Sequence, residues 1–216
     1  MNKMFLWLSL FTLIYEFTST AIASDWNLEL DEESIQIYTR NTTEGNFKEF
    51  KGITKLKTSL NSMVSLLEDA EACKQWVYKC INEQTLKVIS PYEKYNYLLS
   101  DGNPLSDRDS IVHIIRAQDV ESRTVTFKVT GVPDFIPEKQ DIVRVPMING
   151  SWTLEPDNDG NTIITLQNNS NPGGSIPDFI ADYYGIYTPF YTLLKLKSIV
   201  MNKKYQKVNN LVDELK

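Results

Sequence analysis

The amino-acid sequence predicts an α+β domain in which an antiparallel sheet packs against one long C-terminal helix. Residues 26–58 alternate apolar and polar side chains, and residues 78–169 return to that alternation after a short helical stretch. Residues 176–194 place apolar side chains three and four positions apart, as an amphipathic helix does. Strands that follow one another without intervening helices favour an antiparallel sheet over a parallel, doubly wound one.

The first residues have the features of a cleavable secretory signal. Lys3 precedes an apolar run from Met4 to Tyr15, and the small-residue triplet Ala21-Ile22-Ala23 ends the segment. The run is shorter than the roughly 20 residues that a membrane-spanning helix needs, and an uncleaved membrane anchor is the alternative. We therefore expect a signal peptide over residues 1–23 and one exported domain over residues 24–216, which is periplasmic or secreted.

The chain is acidic, with a formal net charge of −6 at pH 7. An acidic surface repels phosphate backbones, and the basic residues form no patch interleaved with aromatic ones, which excludes nucleic acid as the expected partner. Five lysines concentrate near the C-terminus, where they either complement the helix dipole or allow transient contact with an anionic membrane surface. They are Lys195, Lys197, Lys203, Lys204 and Lys207.

Strand patterns alternate with turn signals along most of the chain. Before residue 58 the strand patterns are "WNLELDEESIQIYTR" and "FKEFKGITKLKT". Asp31, Glu32 and Glu33 mark a turn within the first, and "NTTEGN" marks a turn between the two. A helix follows, because Leu60, Met63 and Leu67 recur at helical spacing. The later strands are "CINEQTLKVI", "KYNYLL", "DSIVHIIRA", "TVTFKV", "DIVRV", "SWTLE" and "TIITLQN", and "PMING" is among the predicted turns.

The C-terminal helix carries a stripe of aromatic and aliphatic side chains. Ser175 is the predicted N-cap, and Pro177 falls in the first turn, where a missing N–H costs little. Gly185 and Pro189 are expected to bend or break the helix. The stripe consists of Ile176, Phe179, Ile180, Tyr183, Tyr187, Tyr191 and Leu194.

The two cysteines of the chain, Cys73 and Cys80, are seven residues apart. On one straight helix their Cα atoms would be roughly 10 Å apart, which is too far for a disulfide. If the helix ends near Val77, the chain can fold back and bring them within bridging distance, and export makes a disulfide chemically possible. These thiols and the single histidine, His113, form no recognisable set of metal ligands.

Seven stretches of the chain carry a family likeness. In order they are "IQIYTRNT", "FKEFKG", "LLEDAEACKQW", "DRDSIVHI", "DIVRV", "GSWTLEP" followed by "DG", and "PGGSIPDFIAD". In this order they resemble the START domain, the StAR-related lipid-transfer module, over nearly all of the predicted mature chain, as an exported, bacterial-type, single-domain member. The resemblance implies a helix-grip fold, a curved antiparallel sheet wrapped around a long C-terminal helix with a lipid-sized cavity between them.

One departure from the family concerns sterol binding. Sterol-carrying relatives have an acidic residue on the strand before the Arg-Asp loop, where it can pair with an arginine across the cavity. Here that strand reads "EKYNYLL", so that Glu93 lies at its start and Tyr95 and Tyr97 occupy its middle. Sterol specificity is therefore not expected.

Arg108 is the first candidate site residue, because a guanidinium at the mouth of an apolar strand requires a partner. Strand alternation places Arg108, Val112 and Ile114 on one face, toward the implied cavity. The partner is either a lipid head group or displaceable water, or an internal ion pair with Asp107, Asp109 or Asp141. Arg144, by contrast, is expected to point outward into solvent.

The other candidates are apolar or aromatic side chains expected to face the core and, in a fold with a cavity, a ligand as well. The segment "SDGNPLSD" and the helix segment "DYYGIYTPFY" are expected to form opposite lips of the cavity, with Arg108 just inside. The full ligand-binding set is Arg108, Val112, Ile114, Phe127, Trp152, Leu154, Phe179, Tyr183 and Tyr187.

The resemblance, the predicted signal and the lack of a recognisable nucleophile–base pair lead to one functional prediction. The protein binds a lipid or another hydrophobic molecule, which it transfers or senses without catalysis, cofactor or metal, and it acts as a monomer. Two alternatives remain open. One is a helix-grip enzyme of the cyclase or hydrolase type acting on a hydrophobic substrate, and the other is an interaction protein whose terminal helix responds to lipid.

Overall fold

Ten strands form one open, curved sheet in the part of the chain that the structure describes. The computed structural model describes residues 26–42 and 47–213, with the backbone alone at residue 178. The strands are β1 (Asn27–Glu32), β2 (Ile35–Arg40), β3 (Glu49–Leu56), β4 (Cys80–Ser90), β5 (Glu93–Ser100), β6 (Arg108–Gln118), β7 (Val125–Gly131), β8 (Val143–Arg144), β9 (Met147–Pro156) and β10 (Thr162–Asn171). The helices are α1 (Leu60–Glu68), α2 (Cys73–Trp76), α3 (Asp178–Ile199) and α4 (Lys203–Gln206).

The sheet is antiparallel along its main path, which confirms the predicted fold class. Its spatial order is β1-β2-β3-β10-β9-β7-β6-β5-β4, so that β1 and β4 are the two edges. The short β8 is off this path and pairs in parallel with the start of β6. The turn predicted at "PMING" is wrong, because Met147 to Gly150 belong to β9 and pair with β10 as far as Asn171.

Helix α3 packs on the inner face of the sheet, where it contacts β2 and β3. The approach is closest at Gly52, where a Cβ atom would lie 2.8 Å from Cδ1 of Leu193 and 3.1 Å from Cδ1 of Ile37. The core around this contact joins α1, α3 and the central strands. It includes Ile35, Ile37, Leu60, Met63, Val64, Leu66, Trp76, Val125, Phe127, Leu154, Ile164, Phe190, Leu193, Leu196 and Val200.

The start of α3 differs from the prediction. Pro177 is the N-cap, with φ −60° and ψ 140°, and the helix begins one residue later. Ser175 cannot cap it, because the ring of Pro177 restricts the preceding Ile176 to extended conformations and so excludes a helical residue directly after Ser175.

Helix α3 is continuous through Gly185 and Pro189, so the predicted break does not occur. Pro189 has no N–H to donate to the carbonyl of residue 185, but it is buried where α3 crosses β3. Tertiary packing of the helix therefore outweighs the one backbone hydrogen bond that proline removes.

Replacing Gly185 with alanine should stabilise the protein. No atom lies within 4 Å of a Cβ built at Gly185, and glycine inside a helix costs about 0.5–1 kcal/mol relative to alanine. We expect Gly185→Ala to raise the free energy of unfolding by up to that amount in urea denaturation. Gly52→Ala is the matched control and should lower it, because its new methyl group would meet Leu193. A lower stability for Gly185→Ala would contradict this account of the helix.

Cys73 and Cys80 form a disulfide, with their Cα atoms 5.9 Å apart. This confirms that the two residues lie within bridging distance. Helix α2 ends at Trp76, and Val77 is extended, with φ −74° and ψ 123°. Lys79 then turns the chain with a φ of 60°, so that Cys80 returns beside Cys73 at the start of β4.

The predicted signal peptide, residues 1–23, lies outside the described residues. Across residues 26–42 and 47–213, no helix combines the length and the apolar character that crossing a bilayer requires.

Candidate functional site

A cavity of about 660 Å³ lies between the inner face of the sheet and the N-terminal half of α3. Its walls come from β2, β3, β5, β6, β9 and β10, and α3 covers it. Apolar side chains form much of the lining, among them Phe50, Leu98, Leu105, Ile148, Ile176 and Ile186. This volume falls within the range of about 300–1,000 Å³ that is usual for small-molecule sites.

Both segments that the sequence predicted as lips line this cavity. The loop between β5 and β6 contributes Asp101, Gly102 and Leu105, and α3 contributes Asp182, Tyr184 and neighbouring residues. The segment from α2 to β4 also lines it, through Tyr78 and Lys79, which the sequence analysis did not identify.

A small polar cluster connects the two lips. The Nζ atom of Lys79 donates to the carbonyl of Asn103 at 2.5 Å and to the hydroxyl of Tyr184 at 2.9 Å. The Tyr184 hydroxyl in turn donates to the same Asn103 carbonyl at 3.0 Å. Lys79 also lies 3.8 Å from a carboxylate oxygen of Asp101. Loop and helix are therefore joined by polar contacts at the rim.

Arg108 lies at the first position of β6 and lines the cavity, as predicted. Its Nη1 donates to the carbonyl of Ser106, and its Nε is buried without a hydrogen-bond partner. Within the described residues, Arg108 forms no ion pair with Asp107, Asp109 or Asp141. The guanidinium therefore lies at the cavity wall with no carboxylate partner among the described residues.

The internal ion pair belongs to a different arginine. Arg144 is 7% exposed, and its Nε and Nη2 donate to the two carboxylate oxygens of Asp109 at 2.7 and 3.1 Å. Its Nη1 and Nη2 also donate to the carbonyls of Pro133, Ile136 and Pro137. The hydrogen bonds that Arg144 donates to the carboxylate of Asp109 raise the pKa of Arg144.

The prediction that Arg144 points outward is therefore wrong. The parallel pairing of β8 with β6 places Arg144 beside Asp109, on the face of β6 opposite the cavity. Since Asp109 is already paired there, it does not pair with Arg108.

The predicted apolar site residues on the strands fill the core and do not line this cavity. Phe127 and Leu154 are fully enclosed in the core cluster, and Val112 is buried as well. Ile114 and Trp152 pack against the same cluster, and the ring of Trp152 lies 5.7 Å from that of Trp76, edge to face. Side chains thus occupy the inner face on that side of the cavity.

The aromatic stripe of α3 also points elsewhere than predicted. Phe179 is 74% exposed and Tyr183 is 45% exposed, whereas Tyr187 packs partly against the core. Tyr183, Tyr187 and Tyr191 follow one another with ring centroids 4.6 and 5.9 Å apart. The cavity face of α3 is the neighbouring one, which presents Ala181, Tyr184, Gly185 and Thr188.

The titratable groups near the cavity lie mainly at its rim. Lys48 pairs with Asp182 at 3.1 Å, and burial, followed by a hydrogen bond with Tyr183, raises the pKa of Tyr78. The only histidine of the chain, His113, lies on the opposite face of β6, 2.8 Å from Glu93 and stacked on Tyr95. In the described part of the chain, no cluster of His, Cys, Asp and Glu could hold a metal ion.

Comparison with known proteins identifies relatives of this chain. The family model described as "START domain" matches residues 17–189. The crystal structure of a STAR-related lipid transfer protein from Xanthomonas axonopodis superposes with a TM-score of 0.76 at 35% sequence identity, covering 82% of this chain and 99% of that one.

Two curated relatives align over most of their length. An uncharacterized protein of Pseudomonas aeruginosa is 29% identical over 186 residues, which are 86% of this chain and 91% of that protein. The phosphatidylcholine transfer protein of Rattus norvegicus is 26% identical over 170 residues, covering 74% of this chain and 76% of that protein.

Proposed function

The chain belongs to the START domain family, and on that premise we propose that it binds a lipid between the sheet and α3 and carries or senses it without catalysis. The cavity beside Arg108 is the observation that supports this proposal most directly, because it combines an apolar lining with one guanidinium that has no carboxylate partner among the described residues. The lipid-transfer relatives from Xanthomonas and rat support the same class of ligand.

The tail and the head group of a bound lipid contribute differently to the binding free energy. Each buried methylene contributes about 0.8 kcal/mol, so a dozen contribute on the order of 10 kcal/mol before ordering costs. One hydrogen bond to a charged group contributes roughly 1.5–3 kcal/mol. The tail should therefore set affinity, while Arg108 sets orientation and head-group choice.

Identification of the natural ligand is the direct test of the proposal. The protein purified from its source under gentle conditions should carry lipid that native mass spectrometry detects and that organic extraction releases for identification. Protein that carries no lipid and takes none up from vesicles would contradict the proposal.

Replacing Arg108 with alanine should change lipid selectivity more than total lipid uptake. Without the guanidinium, lipids with the same tails and different head groups should compete nearly equally, whereas the native protein should discriminate among them. The measurement is a competition assay with tail-matched lipids, and the control is Arg123→Ala, which removes a half-buried arginine paired with the exposed Asp213. An unchanged head-group preference in Arg108→Ala would assign Arg108 a structural role.

The positions of several charged groups support a function that does not involve catalysis. The carboxylates that line the cavity, Asp101 and Asp182, are paired with lysines at the rim, and His113 lies on the other face of the sheet. The alternative of a lipid sensor draws support from the Lys79–Asn103–Tyr184 cluster, since a ligand that enters between loop and helix must disturb it.

We propose further that the mature chain begins near Ser24, is exported to the periplasm or secreted, and acts as a monomer that contacts membranes briefly. The disulfide suits an oxidising compartment, and the exposed Phe179 and Tyr183 offer amphipathic contacts beside the cavity. The intact mass of protein recovered from its host tests the cleavage site, because an anchored chain retains its first residues.

A further inference from the structure

We propose that Gly185 determines which lipids the cavity admits, because it leaves the wall formed by α3 free of side-chain atoms at this point. The apolar part of the ligand then packs directly on the helix backbone. This inference rests on the proposed lipid-binding function and adds a residue that sets ligand specificity. Two observations carry it, the position of Gly185 on the cavity wall and the missing structural reason for a glycine there.

Gly185 belongs to a face of α3 on which the side chains are small. Ala181 precedes it by four residues and Thr188 follows it by three, and all three residues line the cavity. Residues at these spacings lie on one face of a helix. Farther along α3, Phe190 and Leu193 are buried in the core. The cavity thus lies beside small side chains of α3, and the core begins where larger ones follow.

Two structural reasons usually account for a glycine in a fold, and neither applies to Gly185. A glycine permits a positive φ, or it leaves room for a neighbouring group that a Cβ atom would contact. Every other glycine that the structure describes has either a positive φ or a heavy atom within 3 Å of a Cβ built on it. Gly185 lies inside a continuous helix, and no heavy atom lies within 4 Å of its Cβ position.

Glycine at this position lowers the stability of α3. After proline it is the least favourable residue in a helix interior, and alanine is the most favourable. The space that a Cβ atom would enter is the cavity, because Gly185 is part of the cavity lining. A larger residue would therefore stabilise the ligand-free protein and occupy space that a ligand needs. The ligand, rather than the fold, explains the glycine.

A side chain at position 185 should therefore shorten the lipid that fits. Each buried methylene of a tail contributes about fourfold to the affinity. Leucine would displace several methylenes, so Gly185→Leu should bind the longest lipid that the native protein accepts at least tenfold more weakly. Shorter lipids should lose less affinity. Gly185→Ala should act in the same direction, with a loss of about fourfold for the longest lipid.

Lipid uptake at defined chain lengths tests the inference. The delipidated protein is offered vesicles of dilauroyl, dimyristoyl, dipalmitoyl or distearoyl phosphatidylcholine and, separately, laurate, myristate, palmitate or stearate. Native mass spectrometry counts the bound lipid, and competition between chain lengths gives the relative affinities. Ser198→Leu is the matched control, because it adds the same side chain at an exposed residue in the last turn of α3 and should leave every affinity unchanged.

Thermal unfolding provides a second measurement, in which the effect has the opposite sign. Without lipid, Gly185→Ala should unfold at a higher temperature than the native protein, since its methyl group meets no atom and alanine favours the helix. The same concentration of the best-bound lipid should then raise the unfolding temperature less in the variant, because a ligand that binds more weakly stabilises less.

The outcomes distinguish this inference from the function on which it rests. Equal affinities of the native protein, Gly185→Ala and Gly185→Leu at every chain length would overturn the role of Gly185 and leave lipid binding intact. A ligand-free Gly185→Ala less stable than the native protein would overturn it as well, because position 185 would then be packed rather than open. Failure of the native protein to bind any of these lipids would contradict the proposed function itself.

Discussion

Arg144→Met should destabilise the protein by about 3–5 kcal/mol, because it leaves the carboxylate of Asp109 buried without its cation. Asp109 is 1% exposed, and Arg144 supplies both of its charge-assisted hydrogen bonds. The loss should appear as a lower midpoint in urea denaturation followed by circular dichroism.

Two comparisons isolate the cause of this effect. Combining Arg144→Met with Asp109→Leu removes both charges and should recover most of the lost stability, since apolar replacement of a whole buried pair is often neutral. Arg123→Met breaks a pair whose Asp213 side chain is 79% exposed, and it should cost at most about 1 kcal/mol. If the double variant Arg144→Met/Asp109→Leu is as unstable as Arg144→Met alone, the hydrogen bonds of Arg144 to backbone carbonyls, rather than its charge, stabilise the protein here.

Removing the disulfide should cost roughly 2–3 kcal/mol, the chain-entropy value for a loop as short as the seven-residue separation of Cys73 and Cys80. The effect should extend to the cavity, because the closed loop carries Tyr78 and Lys79. The backbone N–H of Tyr78 donates to Thr192 of α3 at 3.1 Å, and Lys79 joins the two lips. We expect the Cys73→Ala/Cys80→Ala variant to exchange bound lipid faster than the native protein.

The native protein in reductant provides the matched comparison for this variant. Its unfolding midpoint and lipid exchange rate should both move to the values of the double variant. Identical midpoints with and without reductant would contradict a stabilising role for the disulfide.

The sheet and its order of elements could be predicted because their signals are local. Alternation in "IQIYTR" and "FKEFKGITKL" identifies β2 and β3, and the change to helical spacing at Leu60 identifies α1. The cysteine geometry was predicted only conditionally, because the sequence left open whether the helix ends near Val77. In the structure Val77 is extended, and this allows Cys80 to approach Cys73.

The ion pair of Arg144 could not be predicted, because its cause is not local. Asp109 and Arg144 are 35 residues apart, and they meet only because the two-residue β8 pairs in parallel with β6. The strand "DIVRV" was predicted from the sequence, but no local pattern identifies β6 as its partner. The sequence predicted the two lips that carry Asn103 and Tyr184, but their contact through Lys79 was missed for the same reason, since the three residues come from distant segments.

The side of α3 that packs on the sheet was misassigned for a different reason. The helix carries two adjacent apolar stripes, one of tyrosines at 183, 187 and 191 and one that includes Ile186, Phe190 and Leu193. Periodicity predicts that a stripe is buried but does not say which of two neighbouring stripes faces the sheet. The close approach at Gly52 decides this, because only aliphatic side chains such as Leu193 and Pro189 fit against it.

The position of β3 in the sheet has a consequence for how the chain folds. β3 has β2 on one side, and on the other side it pairs with β10, more than 100 residues later in sequence. Closing so long a loop is entropically costly, and folding rates fall as such distant contacts come to dominate a topology. During synthesis β2 and β3 are complete before β10, so the edge of β3 that later pairs with β10 is unpaired. Unpaired strand edges readily form hydrogen bonds with other chains. The refolding yield should therefore fall as the protein concentration rises. A chaperone that covers the N-terminal strands should restore the yield.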